Sequence, residues 1–186
     1  MKIIIDYQRP KDLPTPEEIV QKCRDFDIEQ AKAPFTHFPK RGFALESRDG
    51  TKVAWVKHGS DIAMSEAMTQ GCVWNKFNGD SIGDVRVPVV YLAFEEGRYG
   101  YIVMELIQGV PCEDSDAKLV ATTVQALVNF SIRHGKPGPV GRGLIRHPFF
   151  VEWKAPCDYS SVDHLQEHVN GVSVAFEFCF VISMRF

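Results

Sequence analysis

The chain has 186 residues, 45% hydrophobic and 24% charged, the balance of a globular protein able to bury one sizeable core. Its 21 Lys and Arg against 24 Asp and Glu give a formal charge of -3, so no global basic field draws in nucleic acid or an anionic membrane. Five scattered cysteines, Cys23, Cys72, Cys112, Cys157 and Cys179, form no C-x-x-C pair; they argue against a disulfide framework or a zinc ribbon and read as thiols of a reducing compartment.

The first residues, Met1-Lys2-Ile3-Ile4-Ile5-Asp6, hold an apolar run of three, too short for a signal peptide or a membrane span. A cytoplasmic protein with no membrane partner is the expectation. Thr15-Pro16-Glu17-Glu18 has the form of a capping box with proline at the first helical position. Ile19, Val20, Cys23 and Phe26 follow at helical spacing, and the helix is expected to stop near Asp27, ahead of the proline-punctuated stretch at 33–39. Residues 1–41 thus read as a helical, proline-rich leader.

Beyond it, residues 43–48 and 51–57 flank Asp49-Gly50 and predict a β-hairpin. Ser65 can cap a helix carrying Met68 and Cys72 one turn apart, which Asn78-Gly79-Asp80 ends. Residues 89–94 and 101–106 read as two strands joined by a turn around Gly97, which completes a β-β-α-β-β pattern with one antiparallel sheet. After Gly109, Ser115 can open a helix whose stripe is Leu119, Val120, Thr123, Val124, Leu127 and Val128, closing at Arg133-His134-Gly135. A glycine- and proline-rich loop over 135–157 leads to a last helix opened by Ser160-Ser161 and running to about Val169.

Four stretches together resemble the aminoglycoside phosphotransferase and choline kinase-like branch of the protein-kinase-like fold: Val53-Ala54-Trp55-Val56-Lys57, Ser65-Glu66-Ala67, Val87-Pro88-Val89-Val90-Tyr91, and Tyr101 through Gly109. Gly138 through Leu144, Phe149-Phe150, and Ser161 through Leu165 further resemble a segment common in fungal members of that branch. The resemblance implies an α+β fold: a kinase-like small lobe of antiparallel sheet plus helix over 42–109, the start of a helical large lobe over 110–170, and an atypical apolar tail over 171–186. It also implies ATP and Mg2+ as cofactors and ATP-dependent phosphorylation of a small-molecule hydroxyl as the family activity. Within it, Lys57 would anchor the nucleotide phosphates as a point charge, held by Glu66 on the following helix. Met104 would gate the adenine pocket, with the Glu105 carbonyl and the Ile107 amide facing the base. A surface lysine and a helix-N-terminal glutamate favoured by the macrodipole are the plainer reading of the first pair.

Phosphoryl transfer in this family further needs a His-Gly-Asp loop, a following asparagine and an acidic metal-binding segment. These 186 residues hold none of them: His134-Gly135 continues as Lys136-Pro137. The expectation is therefore a protein truncated before the catalytic loop, with no catalytic or metal-binding residue assigned and no turnover. A non-catalytic nucleotide-binding or protein-interaction module is the alternative. Eleven of the 15 residues over 172–186 are apolar, which suits a strand, a surface for a protein partner, or a misread gene end. Two competing motifs are weaker. His164-Leu165-Gln166-Glu167-His168 matches H-x-x-E-H without a third ligand in sight, and Gly138-Pro139-Val140-Gly141-Arg142-Gly143 lacks the strand and Lys-Ser of a phosphate loop.

Overall fold

Five short runs pair into one sheet, and a helix packs on each of its two faces. The computed structural model describes residues 1–32, 40–47, 49–79, 85–129, 136–141 and 143–171. The chain is α+β, with a five-stranded antiparallel sheet and four helices among those residues. It divides into two compact units, Met1–Ala117 and Lys118–Phe186.

In the first unit, strands β1 (Lys2–Asp6), β2 (Gly42–Glu46), β3 (Lys52–Gly59), β4 (Val90–Glu96) and β5 (Tyr99–Met104) lie in the order β1-β4-β5-β3-β2. Every neighbouring pair is antiparallel. The β4–β5 connection is the two-residue Gly97-Arg98 turn, with Gly97 at φ +60°, the sign that a type II′ hairpin requires at its first central position. The β2–β3 connection is wider than a two-residue turn. Glu46 pairs with Lys52, and the intervening loop closes through Ser47 N–H donating to Thr51 O at 2.9 Å. Asp49 holds it from within, accepting from Ser47 Oγ and, at 3.0 Å, from Thr51 N.

Helix α1 (Pro16–Ala31) begins as its sequence dictates: Glu18 N donates to Thr15 Oγ1 at 3.3 Å and Thr15 N donates to Glu18 Oε2 at 2.7 Å. It continues past Asp27 to Ala31, four residues beyond the expected stop, because the helix-hostile prolines begin only at Pro34. Ile19, Val20 and Cys23 bury completely or nearly so against Leu45, Ala54, Val56, Leu92, Phe94, Tyr101 and Val103. Each aliphatic side chain so removed from water is worth about 1.5–3 kcal/mol, which fastens α1 to the sheet. The residues read as a leader thus supply an edge strand and the covering of one sheet face.

Helix α2 (Met64–Gly79) covers part of the opposite face, packing Met64 and Ala67 on Val90, Ala93 and Ile102. It starts at Met64, so Ser65 lies inside its first turn rather than capping it, and Ser65 O accepts from Thr69 Oγ1 at 2.7 Å.

The second unit opens one residue inside α3 (Ala117–Asn129), which a single 3-10 turn, Asp114–Asp116, precedes. Asp116, rather than Ser115, bonds back to the entering chain: its Oδ2 accepts from Glu113 N at 2.9 Å. The expected end of this helix at 133–135 lies outside the described residues. The loop at 136–141 turns through Gly138 and Gly141 at positive φ, and a short 3-10 turn follows at Val151–Trp153. The final helix, α4, covers 162–171. A small core of Phe150, Ala155 and Tyr159, with Leu144, Ile145 and Leu165 against it, holds this region together.

Candidate functional site

Successive residues of a strand face opposite sides of its sheet, and β3 sorts its side chains accordingly. Ala54, Val56 and His58 turn toward α1 or the core beneath it; Trp55 and Lys57 turn toward the α2 side. Lys57 Nζ forms an ion pair with Glu66 Oε1 in the first turn of α2. Both side chains remain partly open, 27% and 41% exposed, so the pair can exchange partners with a ligand at modest desolvation cost.

Helix α2 packs chiefly over β4, with flanking contacts to β1 and β5. The Lys57–Glu66 pair therefore marks where the helix-covered part of the face gives way to the β3–β2 part. On that part Trp55 is 38% exposed, two residues before Lys57 and beside Ala44 of β2. Gly42, one strand over, makes room for it: a Cβ there would run into the Val56 carbonyl and lie 2.8 Å from the Trp55 indole nitrogen.

Met104 ends β5 directly opposite Trp55 in the register and packs with the α2-side cluster. Its thioether is fixed by Gln70 of α2, whose Nε2 donates to Met104 Sδ at 3.6 Å and to Pro88 O at 2.9 Å. Glu105 follows in irregular chain. Its backbone N–H donates to Val89 O at 2.9 Å, while its carboxylate pairs with Arg86 and accepts from Val89 N at 3.4 Å. Ile107 is half exposed, in the same irregular stretch.

Of the five residues singled out from sequence, Lys57 and Glu66 touch, Met104 shares their face one strand over, and Glu105 and Ile107 extend the chain from it. Trp55 and Gln70 were not singled out. Trp55 had a legible signal in its two-residue spacing from Lys57, and Gln70 in its four-residue spacing from Glu66.

The remaining motifs make simpler structures. Burial, with the Asp27 carboxylate adding to it, pushes the Cys23 thiol up to about 12, which leaves it protonated and unreactive at neutral pH. Cys72, Cys112 and Cys157 are free thiols as well. His164 and His168 both lie edge-on to Tyr159, with ring centroids 5.2 and 5.7 Å away, so they pack on an aromatic core rather than only facing solvent. Among the described residues no three His, Cys, Asp or Glu side chains gather in a way that could hold a metal ion, and no helix is long and apolar enough to cross a membrane. No family model, curated protein or solved structure matches the chain.

Proposed function

We propose that the first unit is a nucleotide-binding lobe of the aminoglycoside phosphotransferase and choline kinase type, within a chain that does not itself transfer phosphate. The observation that carries this reading is the Lys57–Glu66 pair, a strand lysine held by a helix carboxylate beside a half-open sheet face. The antiparallel sheet with a helix between its two hairpins supports it as well. In this reading Lys57 meets the α- and β-phosphates, Glu66 holds the ammonium in place, and Trp55 offers its indole face to the base opposite Met104. Gln70 keeps the Met104 side chain from collapsing into that space. Glu105 and Ile107 would supply the backbone carbonyl and amide to adenine. No residue role here passes through Mg2+, and the small-molecule acceptor has no assigned contacts.

Titration of the chain with ADP and ATP, followed by Trp fluorescence and calorimetry, tests the reading. Saturable binding that Lys57→Ala weakens at least tenfold is expected, together with no Mg2+-dependent phosphorylation of choline or aminoglycoside acceptors. Absence of binding, or binding indifferent to Lys57→Ala and Trp55→Ala, overturns it.

A protein-interaction role is the second reading. The apolar stripe of α3 favours it, with Leu119 at 63% and Val124 at 51% exposure. Size-exclusion chromatography with light scattering separates the two: a stable assembly dispersed by Leu119→Ser with Val124→Ser supports the second reading.

A further inference from the structure

We propose that His58 and Asp27 are positioning residues for Lys57, so that the seating of α1 on one face of the sheet sets the Lys57–Glu66 pair on the other. This rests on reading Lys57 as the phosphate anchor. The two side chains are consecutive on β3 and leave it in opposite directions, each gripped by a different helix: His58 Nε2 lies 2.9 Å from Asp27 Oδ1 of α1, and Lys57 Nζ pairs with Glu66 of α2. The His58 ring is 8% exposed and tightly enclosed. It stacks on Tyr101 at 6.2 Å and meets Phe26 and Phe43 edge-on, each at 6.1 Å.

Its Nδ1 is buried without a partner among the described residues, so the ring's polar anchoring rests on the single bond to Asp27. The contact is satisfied when Nε2 carries a proton, and Asp27, itself half exposed, is the acceptor. Rotating the end of β3 to relieve His58 would swing Lys57 the other way, because the backbone between them is one peptide plane. The strand has no slack there: Lys57 lies opposite both Gly42 of β2 and Ile102 of β5.

The test uses the whole chain with its lysines carrying 13C-methyl groups from reductive methylation, the Lys57 resonance being identified by its loss in Lys57→Arg. Without nucleotide, Asp27→Ala is expected to move that resonance toward its position in Glu66→Gln. Asp27→Asn, which keeps a carbonyl oxygen for Nε2–H, restores most of the shift. Arg24→Ala, which removes the tie from the same helix to Glu96, leaves the resonance in place. With ADP, Asp27→Ala should weaken binding by about 2- to 30-fold, the range that coupling through packed elements supplies. A Lys57 resonance unmoved by Asp27→Ala in a folded protein overturns the proposal. So does an equal shift in Arg24→Ala, which would mark general loosening of α1. A shifted resonance with no nucleotide binding by the unmutated chain would uphold the coupling and sink the phosphate-anchor reading alone.

Discussion

Asp49 makes the β2–β3 loop acid-sensitive. The Ser47 hydroxyl, first, and then the Thr51 amide hold its carboxyl below the ordinary 3.8. A carboxyl whose pKa is depressed by folding contributes stability that is fully present above its unfolded pKa and is lost as pH falls through the folded one. Asp49→Asn should therefore cost stability near neutral pH and much less in acid, a convergence readable from urea midpoints at about pH 7 and about pH 3. Tyr159 presents the opposite case. Burial, with Cys157 adding to it, raises its phenol pKa, and its hydroxyl is buried with no partner among the described residues. Tyr159→Phe removes that unpaired group and keeps the ring among Phe150, His164 and His168. The expected result is a thermal midpoint unchanged or raised, with a gain of up to about 1 kcal/mol; a clear loss would reveal a bond to the hydroxyl. At this scale the site was partly legible. The nine residues from Lys57 to Glu66 announced a strand lysine and a helix acid, whereas the Asp27–His58 contact joins residues 31 apart and depends on how α1 lies on the sheet.

At the scale of elements, the capping box at Thr15 is the most self-contained feature. Thr15→Ala removes one of its two reciprocal bonds and should destabilise the fold by about 1 kcal/mol, seen as a lower urea midpoint with an unchanged slope. Glycine at position 100 carries a heavier constraint. A Cβ there would collide with the Ile62 carbonyl oxygen, so Gly100→Ala must push apart the chain entering α2 and strand β5. We expect a loss of about 1–3 kcal/mol, measured by the same titration. Elements whose signals are local were readable from sequence: α1 from its cap, both hairpins from their turns, and the stripe of α3 from its period. The edge strand β1 was not, since Ile3-Ile4-Ile5 carries no alternation and becomes a strand only by pairing with Phe94 and its neighbours some ninety residues away. Helix ends behaved similarly, with Ser65 and Ser115 offering cap chemistry at positions where Met64 and Asp114 begin the turns.

Across the whole molecule, apolar burial is unequally shared. The first unit buries two clusters around its sheet, while the described core of the second is Phe150, Ala155 and Tyr159. Local opening free energies follow buried contacts, so amide exchange should be slowest in β4 and β5 and fastest in α3, whose stripe is largely exposed. Protection in α3 equal to that of β5 would instead show that its apolar face is covered in solution. The strand order also has a bearing on how the protein is made. Strand β5, the last of the five to leave a ribosome, takes the central place between β4 and β3. Until residue 104 has emerged, the nascent chain can close the β2–β3 hairpin but cannot join it to β4 and β1, and α1 has only part of its bed to lie on. The sheet is thus completed by its keystone, in one late event that joins both halves. Synthesis paused before β5 would leave Ile19, Val20 and the inner face of β3 without their final cover, a natural moment for chaperone capture.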